Sequence, residues 1–306
     1  MPCLSKFSSL THQHLFACIN TIIYHVEPIA PQRLIRILDL GCGNGIMLAS
    51  FVKELRKKNP AIEFEFYGLD VDDSLVQQAG YFEKTISILN ETDSTTNWAN
   101  FLKLVKSSEP WPFANNYFDF IISNQVMEHV ADHYFCFSQI QRTLTEDGFS
   151  FNLYPLKHVL QEWHLFIPLA HKFSNWSKTY KWIKFWSHLG IGTYKWHKAN
   201  GLMSSVNEYA EKHADYMSFQ VNYLTTRNTA AIAKKAGLKS SFDFTHLYYV
   251  QKIRSIFRLS LFEQYRRRHI FKPHSFYFFF LKHISSITLV LRKKESKISG
   301  VTRIKK

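Results

Sequence analysis

The chain is poor in cysteine and glycine, with 4 Cys and 11 Gly in 306 residues. Cys3, Cys18, Cys42 and Cys136 form no CxxC pair and no zinc-type spacing. This excludes a disulfide framework and a zinc finger, and fits a reducing cytoplasm. Long apolar runs are also missing. The strongest, residues 276–291, contains Lys282 and His283 and falls short of the roughly 20 residues that a bilayer span requires. The N-terminal region, with Lys6 and an apolar segment at 15–26, is interrupted by His14, Asn20 and His25 and makes a poor signal peptide. No internal repeat is apparent, and no Gly-Lys-Ser/Thr follows a glycine turn, which excludes a P-loop.

Aromatic residues and positive charge are plentiful. Hydrophobic residues make up 46% of the chain, enough for a proper core, and aromatics 16%, with 27 Phe. The formal net charge is +14. That excess is either a solvated lysine-rich surface or a match for acidic partners: phosphate-bearing substrates, anionic lipid or nucleic acid.

The most informative run is Ile37-Leu38-Asp39-Leu40-Gly41-Cys42-Gly43-Asn44-Gly45. A short apolar strand ends in a turn with glycine at alternate positions. Such a turn brings backbone N–H groups close to an anionic ligand at the start of the next helix. About thirty residues on, the apolar run at 64–69 ends in Asp70, whose carboxylate can accept from both hydroxyls of a ribose. The spacing is GxGxG, with Ile46 where a nicotinamide fingerprint needs its third glycine, and Asp70 comes late for that pattern.

This pairing resembles the class I S-adenosylmethionine-dependent methyltransferases. Further matches are Trp111-Pro112-Phe113 running through Phe118-Asp119 into 120–124, then Gln125-Val126-Met127-Glu128-His129-Val130, then the turn Glu146-Asp147-Gly148 before an apolar strand at 149–154. The resemblance is good over 35–154 and weaker at 229–244 and 286–293. It implies a Rossmann-like, doubly wound α/β fold, with a mostly parallel seven-stranded sheet and a helical insertion after strand five. It also implies S-adenosyl-L-methionine as cofactor. Asp39, Gly41, Cys42, Gly43 and Gly45 would cradle its methionine end and Asp70 its ribose, with Ser107 and Asn124 completing the site. Ser107 stands by register where many members carry an Asp for the adenine amino group.

The expected division is a helical cap at 1–34, a cofactor-binding core at 35–154, a lid at 155–224, the rest of the core at 225–293 and a basic tail at 294–306. Within the fourth part, 240–249 reads as a strand and 252–268 as a basic amphipathic helix ending in Arg266-Arg267-Arg268, suited either to packing on the core with its basic residues in water or to an anionic membrane surface.

Methyl transfer needs an aligned acceptor, and a hydroxyl acceptor gains from a base. Glu128 and His129 follow strand four and so lie on the carboxyl edge of the sheet. Glu162 and His164 belong to a stretch, 152–171, similar to an element found after strand five in methyltransferases of surface glycans and lipid-linked substrates. His164, His129 and Glu162 are therefore the candidate catalytic residues. No metal-ligand cluster stands out by spacing. The resemblance implies an O-methyltransferase for a sugar, phosphosugar or lipid-linked small acceptor, in the cytoplasm or peripheral to the inner membrane face. A quinone-precursor or nucleic-acid methyltransferase stays open, as does a non-catalytic cofactor- or lipid-binding protein. Nucleic acid fits less well: Ser123-Asn124-Gln125-Val126 stands where an amino-methylating enzyme carries (N/D)PP(Y/F), and no RNA-binding module is visible.

Overall fold

The computed structural model describes residues 7–25, 33–73, 80–266 and 275–294. The chain opens with α1 (Leu10–His25), whose residues from Gln13 to Ile23 are all buried. His14 ties this helix to the core: its Nδ1 meets the Tyr265 hydroxyl at 2.6 Å and its Nε2 meets Thr288 Oγ1 at 2.8 Å.

Strand and helix then alternate: β1 (Leu34–Leu40), α2 (Ile46–Lys58), β2 (Glu63–Val71), α3 (Tyr81–Thr92), the single turn α4 (Trp98–Phe101), β3 (Leu102–Val105), β4 (Phe118–Asn124), α5 (His133–Thr143) and β5 (Leu144–Pro155). β1 and β4 are buried on both faces along most of their length, which explains why they read as nearly unbroken apolar runs. The strand order is β3-β2-β1-β4-β5-β9-β8, with β8 (Leu238–Ser241) and β9 (Ser286–Lys293) last in the chain. The first five strands pair in parallel, and β9 runs antiparallel between β5 and β8. This is the Rossmann-like, mostly parallel seven-stranded sheet that the resemblance implies. Strand order reverses between β1 and β4, so their carboxyl ends flank the crevice in which such sheets bind ligands.

After β5 the chain leaves the sheet. A small hairpin, β6 (Gln161–Glu162) and β7 (Ile167–Pro168), leads to α6 (Trp176–His188), α7 (Tyr194–Ala199) and α8 (Val206–Asp215). Asn175 and Ser205 cap α6 and α8 with their side chains, each satisfying a backbone N–H that the first turn leaves free. This insertion has its own apolar cluster, in which Leu165, Ile167, Ile183, Met203, Tyr209 and Met217 pack together. The two faces of the sheet carry the other clusters, one with α1 and α2, the other with α5. The chain rejoins the sheet through α9 (Thr226–Lys235).

Two expected elements differ. The strand at 240–249 is only β8, because α10 (Thr245–Ile256) begins four residues after it. Phe242, Phe244 and Tyr248 suggest strand-like alternation, but Thr245, Tyr248 and Tyr249 are buried at helical spacing. Thr245 Oγ1 also accepts the Thr288 N–H at 3.0 Å, locking the helix start to β9. Nor is 252–268 one amphipathic helix. α10 stops at Ile256, and Arg258 takes a left-handed φ of +53°. The chain then folds back, its Phe262 backbone held on both sides by the Gln251 amide, and Tyr265 turns inward to His14. Arg266 is exposed, while Arg267 and Arg268 lie outside the described residues. The last helix is α11 (Ser275–Leu281). No helix among the described residues is long and apolar enough to cross a membrane.

Candidate active site

The turn after β1 is built by its glycines. Gly41, Gly43 and Gly45 have φ of +72°, +51° and +72°, a region that costs an L-residue about 1–2 kcal/mol. A Cβ at Gly41 would fall 2.4 Å from Val126 Cγ2. The turn is pinned to β2, where the Gly41 and Cys42 N–H groups donate to the Leu69 carbonyl at 2.7 and 3.2 Å. Asp70 closes it: Oδ2 accepts the Gly43 N–H at 2.7 Å and Oδ1 accepts its neighbour Val71 N–H at 2.8 Å. Burial raises the Asp70 carboxyl above its usual range although these two bonds oppose the shift. A carboxylate has about four lone-pair positions, so Asp70 keeps capacity for ribose hydroxyls.

Asp39, on β1, is fully buried, and neither of its oxygens has a hydrogen-bond partner among the described residues. Burial and the neighbouring Asp70 push its carboxyl well above the ordinary range. A buried acceptor without a donor calls for one, and the ammonium of an amino-acid-bearing nucleoside is such a donor. The residues present therefore fit S-adenosylmethionine. Asn124, at the end of β4, likewise has a buried side-chain oxygen with no partner. Ser107 is engaged elsewhere: its N–H and hydroxyl both donate to the Asp73 carboxylate, the hydroxyl at 2.8 Å. Asp73, three residues past Asp70, had no signal in the sequence beyond that spacing.

A second group lies between the end of β4 and the insertion. Glu128 and His129 sit in a 3-10 turn, Met127–His129. Glu162 and His164 come from the β6–β7 hairpin, and Tyr216 and Tyr223 from the end of the insertion. The Glu162 carboxylate is fully buried and held by three hydrogen bonds. Its Oε1 meets His164 Nδ1 at 2.6 Å and accepts the Tyr223 hydroxyl at 2.9 Å, and its Oε2 accepts the Leu165 N–H at 2.7 Å. Burial alone would raise the Glu162 carboxyl, but these partners hold it below its usual range. Burial alone would lower the His164 imidazole, but the bond and charge of Glu162 hold it above its usual value.

His129 Nδ1 meets the Gln220 carbonyl at 2.9 Å, and its ring lies 5.6 Å from that of His164. Glu128 is fully buried, with no hydrogen bond to any other residue's polar group among those described. Burial pushes its carboxyl up to about 8. The structure thus brings together His164, His129 and Glu162, and adds Glu128 and two tyrosines to them. The tyrosines escape sequence reading because no local pattern links positions 216 and 223 to 128 or 162.

A cavity of about 30 Å³, lined by Ile22, Arg33, Ile35 and Asp119 among others, lies at the opposite, amino-terminal edge of the sheet. It is remote from both groups.

A family model described as a methyltransferase domain matches residues 22–239. Similar solved structures include YcgJ from Bacillus subtilis, 11% identical, covering 90% of this chain and 99% of that one, with a TM-score of 0.42. Another is phosphoethanolamine N-methyltransferase 2 of Haemonchus contortus in complex with S-adenosyl-L-methionine, 13% identical over 90% or more of this chain (91%) and 51% of that one, TM-score 0.44. A third is PKMT2 from Rickettsia typhi, 12% identical, covering 94% of this chain and 54% of that one, TM-score 0.47. The chain spans about half the length of the last two. No curated protein matches the sequence.

Proposed function

This chain belongs to the methyltransferase-domain family and its cofactor is S-adenosylmethionine; on that premise we propose that it methylates a hydroxyl of a sugar, phosphosugar or lipid-linked acceptor. The observation that carries the proposal is the 2.6 Å contact between the buried Glu162 carboxylate and His164 Nδ1. Glu162 fixes the tautomer: with the proton on Nδ1, the lone pair of Nε2 is free. His164 Nε2 then takes the acceptor's hydroxyl proton, and Tyr223 and the Leu165 N–H keep Glu162 from turning away. His129 is held the same way by the Gln220 carbonyl and presents its own Nε2 beside the acceptor.

In this reading Asp39 and the turn Gly41, Cys42, Gly43 and Gly45 hold the methionine end of the cofactor. Asp70 would hold the ribose, and Asn124 and, through Asp73, Ser107 would complete the site. Bound there, the cofactor supplies an electrophilic methyl group for in-line displacement.

The surroundings support an anionic, lipid-linked acceptor at a membrane surface. Lys282, His283 and Lys172 gather around His158, whose imidazole is pushed down to about 4 by burial and then by these neighbours. Trp163, Phe166 and Ile284 are exposed beside them, with the Trp163 indole N–H donating to the Ile284 carbonyl at 3.2 Å. Exposed aromatics with cations around them suit a headgroup interface.

The test is incubation with methyl-labelled cofactor and fractionated cell extract. Label is expected in a lipid-linked glycan fraction, and it should vanish with His164→Ala. Label confined to nucleic acid, or undiminished in that variant, would overturn the reading.

A further inference from the structure

One carboxylate oxygen of Glu128 and one ring nitrogen each of His129 and His164 lie within 4.8 Å of one another. We propose that these three side chains form a binding site for a divalent first-row transition-metal ion.

Three features of the cluster point to a cation. Among the described residues, the Glu128 carboxylate is wholly buried with no hydrogen bond to another residue's polar group, and a buried acceptor of this kind needs a donor or a positive charge. Both imidazoles have one ring nitrogen anchored, as metal ligands do. Each uses Nδ1 for a hydrogen bond, His164 to the Glu162 carboxylate and His129 to the Gln220 carbonyl, which leaves Nε2 as the ligating atom. Such outer partners fix the ring and its tautomer in metal sites. The donor set is also selective. Two imidazoles and one carboxylate suit zinc, iron, cobalt, nickel or manganese, whereas magnesium and calcium take oxygen ligands.

Ligand atoms about 2.1 Å from one ion stand about 3.0–3.4 Å apart, so the ion would draw the three inward. His164, on a hairpin turn at the rim with its side chain 32% exposed, has room to make that movement. Three protein ligands leave coordination positions open, and the acceptor's hydroxyl oxygen is the natural occupant of one.

This role rests on the proposed function only for what fills the open position; ion binding itself does not depend on it. The two roles exclude each other at His164 Nε2, since a nitrogen that ligates an ion cannot also take a proton. An ion at this site would therefore take over hydroxyl activation from the imidazole.

The test uses the full-length chain, dialysed against a chelator and titrated with Co²⁺ or Zn²⁺ alone. One saturable site is expected, with a visible Co²⁺ absorption band. Affinity should fall at least about tenfold in Glu128→Gln and in His129→Ala. The exposed His188→Ala variant should bind as the parent does. If Glu128→Gln misfolds, His164→Ala at the rim provides the same comparison. Absence of saturable binding, or equal affinity in all variants, would overturn the site. A protein that binds no ion yet loses turnover with His164→Ala removes the metal site and leaves the base reading standing. One that binds the ion and turns over normally in His164→Ala keeps the metal site and removes the base.

Discussion

In the glycine cradle, Asp70 is held by two backbone N–H groups while Asp39, on the neighbouring strand, has no partner among the described residues. In the lid cluster, Glu162 is held by His164, Tyr223 and the Leu165 N–H, while Glu128 has no bond to another residue's polar group among those described. Both sites set a hydrogen-bonded carboxylate beside an unsatisfied one, but they hold the bonded member differently. The cradle uses main-chain donors, which almost any residue would supply; what it needs is a backbone able to reach φ above zero. The lid uses mostly side chains drawn from separate segments. The cradle should therefore fail through its glycines, and the lid through the loss of single functional groups.

The sharpest way to separate the two is His164→Ala. Removing a positioned base costs on the order of 10²–10⁴ in rate, about 3–5 kcal/mol of barrier. Calorimetric titration should show unchanged cofactor affinity, because His164 lies outside the cradle. Parallel losses of turnover and cofactor affinity would mean that the two regions are one unit. Gly41→Ala should produce the converse. Its Cβ would meet Val126 at 2.4 Å with the backbone at φ +72°, and strain plus overpacking sum to about 3 kcal/mol. Cofactor affinity should fall about 100-fold while circular dichroism stays that of the parent.

These contrasts also explain what the sequence makes legible. The cradle can be read from β1 and β2 because its parts lie on consecutive elements at fixed spacing: apolar strand, glycine turn, helix, apolar strand, acid. Glu162 and His164 can be named as a pair since they are two residues apart on one hairpin. Their contacts with Glu128, His129 and Tyr223 depend on how the insertion lies on the sheet, and no periodicity encodes that. Segments 240–249 and 252–268 mislead for a related reason. Aromatic alternation favours a strand, and apolar spacing extends the following helix, but packing against α1 and β9 sets both boundaries. Ser107 matches by register, yet its bond to Asp73 crosses between the loops after β3 and β2.

Asp70→Ala should have a smaller effect than either change above. Hydrogen bonds to a charged acceptor contribute about 1.5–3 kcal/mol, so cofactor affinity should weaken by about 10- to 150-fold. The Gly43 N–H, left without its acceptor, should exchange faster with solvent. A change in acceptor KM at saturating cofactor would contradict the separation of cradle and lid.

The mildest and most diagnostic change is Asp39→Asn. Asp39 is buried without a partner, and burial raises its carboxyl well above its usual range. The unfolded chain gives up that proton near pH 4, while the folded chain retains it to higher pH. Between those two values the folded state binds more protons, so stability falls as pH rises. The cofactor-free parent should be most stable relative to the variant below about pH 4 and should lose that advantage as pH climbs through the folded-state value. Asn cannot ionise, so the variant should lack this slope and be more stable at neutral pH by about 1–2 kcal/mol, the scale of an unmet buried polar group. Thermal melts across pH measure the difference directly. The same change removes the negative charge offered to the cofactor's ammonium, so affinity should fall as stability rises. A variant that is no more stable than the parent at neutral pH would mean that Asp39 has a donor even without cofactor. The likeness between the cradle and the lid cluster would then fail on the cradle side.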